Sequence, residues 1–172
     1  MNNLMKLSLG LVLAALVFAA QETGAIHGVI TKLDRATTSI AVKTADGTEH
    51  TIKVAEATPV HGVKDGMAGL KTGSEVVVHY TTKGTEKSAV ELDTVGKEGL
   101  KATEGTVTKL DRKAKTLTVK TADGTEETYK LSAHATKDAG KDIAAGSEKS
   151  AKVTVYYTED AGKKVAHFFE KM

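Results

Sequence analysis

From residue 25 onward, apolar and polar positions alternate with a period of two over most of the chain. Ile40 and Val42 share one strand face, Ile52 and Val54 the next, and Val76, Val78 and Tyr80 a third. This pattern, rich in β-branched residues, is that of half-buried strands. It predicts strands over 26–34, 39–44, 48–55, 75–81 and 87–95. The stretch from Glu56 to Ser74 breaks the alternation with four glycines and scattered apolar residues, which predicts a loop with one short helical turn near Met67 to Lys71.

The same pattern is then written again. Val42-Lys43-Thr44-Ala45-Asp46-Gly47-Thr48-Glu49 returns letter for letter at 119–126, and Thr31-Lys32-Leu33-Asp34-Arg35 returns at 108–112, both shifted by 77 positions. Asp-Gly between alternating runs predicts a tight hairpin with positive φ at both central residues. Positions apolar in both copies are candidate core: Ile30 with Val107, Ile40 with Leu117, Val42 with Val119, Ile52 with Tyr129, Val78 with Val155, Ala89 with Ala166. Gly28 and Gly105 fall inside the first strand of each copy, where a glycine marks a bulge or a barrel corner. The expected organisation is all-β, with two tandem five-stranded barrels at 25–96 and 103–172 joined by a linker at 97–102. Each unit is small for a self-sufficient core, so the two are expected to share apolar surface. In the second copy, Ile143-Ala144-Ala145 is the expected helical turn.

Residues 1–20 carry one early cation, Lys6, an apolar run from Leu7 to Ala20, and small residues at Ala19-Ala20, with Thr23-Gly24-Ala25 as a second cleavage candidate. This is the pattern of a secretory leader, and the run is shorter than the roughly 20 residues needed to span a bilayer. A periplasmic or extracellular address follows, with no stable membrane span after cleavage. The 172-residue chain is 40% hydrophobic and 27% charged, with a net charge of +2, which supplies no field to recruit nucleic acid. It has no cysteine, which excludes disulfides and thiolate chemistry. Aromatic residues make up only 4% and Trp is absent, which leaves few platforms for stacking bases or sugars.

Five strands with the longest excursion between the third and fourth resemble the OB fold. The run Gly-Val-Ile-x-x-Leu-Asp, a polar turn, Ile-x-Val, Asp-Gly, then Thr-Gly-Ser-Glu-Val-Val-Val is similar to secreted bacterial small-barrel domains of unknown function. In outline it also resembles the periplasmic copper-binding barrels of metal-efflux systems, which hold copper through a His, two Met and a Trp face. This chain departs from that ligand set: it has no Trp and no Met pair on the third strand, and His50 is replaced by Glu127 in the second copy.

No His-x-His or His-x-x-x-His pair sets two imidazoles on one ion. His27 and His79 are expected on outward strand faces, and the six histidines are read as solvated or edge groups. No calcium loop and no Gly-x-Ser-x-Gly elbow occurs. The Lys and Thr rows on the outer strand faces read as a solvated, aggregation-resistant surface. The expected function is therefore a non-catalytic binding or structural module of the envelope, needing no cofactor and working through an envelope protein or polymer. The alternative is a periplasmic metal-binding protein of the copper type, with His50, His61 and Met67 as ligands. Phe168 and Phe169 point to opposite strand faces, which makes them the expected inter-repeat or partner contact. Self-association by strand exchange is conceivable for two near-identical hairpins.

Overall fold

The computed structural model describes residues 22–136 and 150–172. The leader at 1–20 and the helical turn expected at 143–145 lie outside them. The first repeat forms β1 (Glu22–Asp34), β2 (Ser39–Lys43), β3 (Glu49–Lys53), a two-residue β4 (Val60–His61), β5 (Glu75–Lys83) and β6 (Glu86–Thr94). The second forms β7 (Lys101–Asp111), β8 (Thr116–Thr121), β9 (Glu126–Leu131), β10 (Lys152–Asp160) and β11 (Lys163–Lys171). A single 3-10 turn at Gly66–Gly69 stands where the helical turn was expected.

β1 is antiparallel to both β2 and β5, β5 is antiparallel to β6, and β3 pairs in parallel with β6 at Lys53 and Ser88. The second repeat closes into a five-stranded barrel with the same neighbours. The register is the same after the shift of 77. Ala25 faces His79 as Ala102 faces Tyr156, and His79 faces Glu91 as Tyr156 faces Phe168. β1 starts four residues before the expected strand because its first half, Glu22 to Val29, ladders onto β5. Gly28 sits where β1 passes from β5 to β2 and is buried there, which is a barrel corner.

The Asp-Gly hairpins differ from the expected turn. Gly47 and Gly124 both have φ of 87°, but neither aspartate has positive φ. Thr44 O accepts from Gly47 N–H at 2.9 Å, and Thr48 O accepts from Thr44 N–H at 2.9 Å, so three residues lie between the closing pair. This is a type I turn followed by a left-handed glycine. The aspartate caps it: Asp46 Oδ1 accepts from the Thr48 N–H at 2.9 Å, as Asp123 Oδ1 does from Thr125 N–H at 3.0 Å.

Each barrel has its own core. Ile30, Ile40, Val42, Ile52, Val76 and Val78 are among those that fill the first. Val107, Leu117, Tyr129, Val155, Tyr157 and Phe169 are among those that fill the second. A third cluster, Val77, Leu100, Tyr156 and Phe168, lies between them. It joins the outward faces of β5 and of the β10–β11 pair, so the face that alternation marks as solvent-facing is a barrel-to-barrel seam. The linker is folded into this seam. Leu100 is buried, its N–H donates to Thr94 O at 2.7 Å, and its carbonyl accepts from Gly96 N–H at 2.9 Å. Phe169 belongs to the second core and Phe168 to the seam. Both are buried, and of the inter-repeat or partner contact expected for this pair Phe168 makes the inter-repeat one.

Candidate functional site

The expected ligands His50, His61 and Met67 are placed on three different elements, β3, β4 and the 3-10 turn. Met67 lies in the 3-10 turn and packs against the first core. His50 lies on β3, where Lys87 Nζ stands 2.7 Å from its Nδ1. Burial first, and the Lys87 ammonium second, hold the imidazole below its ordinary pKa. An ammonium at that distance repels a cation and occupies the ring's lone pair. The second repeat keeps the lysine and changes its partner: Lys164 Nζ donates to Glu127 Oε1 at 2.6 Å, and the Tyr129 hydroxyl donates to Glu127 as well. His50 and Glu127 are thus repeat-equivalent acceptors for a barrel-mouth lysine that also lies over Tyr80 or Tyr157.

This ion pair carries a pH dependence. Lys164, then the Tyr129 hydroxyl, hold Glu127 below the ordinary glutamate range. A carboxylate depressed in the folded state contributes stability above its unfolded pKa of about 4.3, lost as pH falls through the lower folded value. Glu127→Gln should therefore flatten the acid limb of stability below roughly pH 5, as measured by urea midpoints across a pH series.

His61 is the expected ligand that meets other donors. It is on β4, paired beside Asp93 of β6. A nitrogen of His61 and carboxylate oxygens of Glu91 and Asp93 all lie within 4.8 Å of one another. Glu91 and Asp93 are two apart on β6, so both project from its outer face into the seam. There Glu91 meets the second barrel. His134 Nε2 is 3.0 Å from Glu91 Oε2, His167 Nδ1 is 3.8 Å from Oε1, and His61 Nε2 is 3.7 Å from Oε1. His79 is 1% exposed and packs its ring against His134, with centroids 4.9 Å apart, and edge-on to Phe168 at 6.4 Å. The histidines expected on solvated faces therefore gather at the seam, because the face they occupy is covered by the other barrel.

Local structure aims these groups. Ser132 caps the helical stretch 133–136 that carries His134, its Oγ accepting from the Ala135 N–H at 3.1 Å. His167 sits where the β10–β11 register shifts, between the pairs Tyr157–Ala166 and Tyr156–Phe168. A bulge of this kind re-aims a side chain, and Thr158 Oγ1 lies 3.0 Å from the His167 Nε2. The electrostatics are divided. The His167 imidazole first, with the charges of His134 and His79, holds Glu91 below the ordinary range. Burial first, and Glu91 second, push Asp93 up against the opposing pull of His167, His61 and His79. Asp93 is 2% exposed, and its Oδ2 accepts no hydrogen bond from any described residue. An unsatisfied buried carboxylate oxygen carries a desolvation penalty of roughly 1–3 kcal/mol or more, so its presence needs a reason.

On the other side of the seam, His27 joins the barrels. Its Nε2 is 2.7 Å from Glu75 Oε1, its Nδ1 is 3.2 Å from Glu170 Oε2, and its ring lies over Tyr156 at 4.5 Å. With partners on both ring nitrogens it has a complete structural role.

No family model matches the chain, and no curated protein matches it. Among solved structures the chain is similar to Ag(I)-bound CusF, at 14% identity and a TM-score of 0.35, over 42% of this chain and 97% of that one. It is also similar to apo-CusF residues 6–88 from Escherichia coli, at 15% identity and a TM-score of 0.36, over 46% of this chain and 95% of that one. The likeness concerns the fold alone. No described helix is long and apolar enough to cross a membrane.

Proposed function

We propose that this chain is a non-catalytic binding protein of the bacterial envelope whose ligand is a divalent transition-metal ion, held at the seam by His61, Glu91 and Asp93. The observation that carries this reading is Asp93: a buried carboxylate with an unsatisfied oxygen, within ligand reach of a second carboxylate and an imidazole. Imidazole and carboxylate donors suit zinc, copper(II) or nickel, and the set has no thioether or thiolate to favour copper(I). The envelope address rests on the leader-like segment at 1–20. The ion here is a ligand, and nothing in the arrangement offers a nucleophile paired with a base.

A second reading has its own support. Glu91 alone, ringed by imidazoles, makes an ion-pair network that fixes the two barrels without any ion. Calorimetric titration of the full chain with zinc sulfate separates the two. Saturable binding of one zinc per chain is expected, with histidine NMR shifts concentrated on His61 and not on His50. Asp93→Asn should weaken it by about 10–100-fold or more, the loss that even outer-shell partners of a metal cause. A flat titration, or shifts spread evenly over all six histidines, would leave the ion-pair network as the role of the cluster.

A further inference from the structure

The three ligands from the first barrel leave a tetrahedral ion one donor short. We infer that the second barrel supplies it: His134, with His167 beside it, completes the coordination, so that a bound ion braces the two barrels against each other. This rests on the metal reading above and adds that the site is shared.

The geometry supports a shared site. Donor atoms on a tetrahedral zinc with bonds of about 2.0–2.2 Å stand roughly 3.3–3.6 Å apart. Around Glu91, the imidazole nitrogens of His134, His61 and His167 stand at 3.0, 3.7 and 3.8 Å. Each of these distances is to Glu91; the donor atoms that all lie within 4.8 Å of one another are those of His61, Glu91 and Asp93, so His134 completes the coordination by a shift of its ring toward that set. His134 approaches the Glu91 oxygen opposite to the one His61 faces, so the two imidazoles come from different sides of the carboxylate and from different barrels. Both second-barrel rings are oriented by other contacts, His134 by stacking on His79 and His167 by Thr158. Pre-orientation of that kind lowers the ordering needed on binding.

The electrostatic logic agrees with the placement. Histidine ligands bind as neutral rings, and a carboxylate beside a ligating imidazole raises its basicity. Glu91 now serves as common partner to the imidazoles, and an ion would take that place while leaving the two carboxylate charges to offset its own. Because an ion bound across the seam is absent when the barrels part, it favours the docked arrangement by mass action.

The test uses the full chain, which has no cysteine and so accepts spin labels only where cysteine is introduced. Lys32→Cys and Lys109→Cys place one label on an exposed strand position of each barrel. Zinc affinity is measured by calorimetry, and the inter-label distance distribution by electron–electron resonance, for the labelled parent and for Asp93→Asn, His134→Ala and His167→Gln. His134 is one-third exposed, so truncating it leaves the fold intact. His167→Gln keeps a polar group of similar size as a second check.

The expected result is that zinc narrows the distribution in the parent. His134→Ala should lower zinc affinity by at least about tenfold and abolish the narrowing. If zinc binds the parent and fails on Asp93→Asn, yet binds His134→Ala and His167→Gln with parental affinity and no narrowing in any of them, the shared site is wrong and the metal reading survives. If zinc does not bind the parent, the metal reading itself is wrong.

Discussion

Replacing Phe169 with alanine should destabilise the second barrel by about 3–5 kcal/mol, the usual result of emptying a buried aromatic position. Phe169 is 2% exposed and packs in a core with Tyr129, Tyr157 and Val155. A unit of this size holds only roughly 4–10 kcal/mol in total, so the change removes a large part of it. Phe168, its neighbour, faces the other way, against Val77 and Leu100 in the seam. Phe168→Ala should therefore leave strand dispersion intact in both barrels and instead speed amide exchange along the seam. Urea unfolding followed by NMR, barrel by barrel, distinguishes the two. If Phe168→Ala melts the second barrel and Phe169→Ala does not, the assigned face of β11 is wrong.

Gly28→Ala should be nearly as damaging, although it adds only one methyl group. A Cβ at residue 28 would lie 2.4 Å from the Lys43 carbonyl oxygen and 2.9 Å from a Val42 methyl. At Gly105 the nearest atom would be a Val119 methyl at 2.3 Å, with the Lys120 carbonyl oxygen at 2.7 Å. Overpacking of this kind costs about 1–3 kcal/mol. Gly28→Ala should lie at the top of that range, because the obstacle is a carbonyl in a strand ladder. Gly105→Ala should cost somewhat less, because a side chain can turn. Thermal melts of the two single variants test the ranking, and equal or negligible losses would mean that β1 and β7 do not bend where the structure has them bend.

Much of this was legible in the sequence. Alternation marked the strands, and agreement between the two copies marked core positions such as Ile40 with Leu117 and Val78 with Val155. The glycines at 28 and 105 marked the corners. Asp-Gly favours a two-residue turn, but Asp46 acts through its carboxylate as a cap, which needs only one left-handed residue. The site was not legible for a different reason. His61 on β4, Glu91 and Asp93 on β6, His134 on the helical stretch after β9 and His167 on β11 come from both repeats, so no local spacing joins the acids to the imidazoles. The one signal present was Glu91-x-Asp93 on a strand face whose counterparts in the second copy are Phe168 and Glu170. An outward phenylalanine opposite an outward glutamate is a sign that the face is covered, and covering is what turned His79 from an exposed residue into a buried one.

The two barrels meet through equivalent faces. His79 and Glu91 on one side correspond to Tyr156 and Phe168 on the other. Two identical subunits meeting this way would have to present every side chain twice about a two-fold axis, with each polar group facing its own duplicate's surroundings. Joining the halves in one polypeptide lifts that restriction. The first half is free to carry both acids together with His61 and His79, and the second His134, His167 and the aromatic rings, and the result is a single unsymmetrical site where a dimer of identical chains would be held to a matched pair.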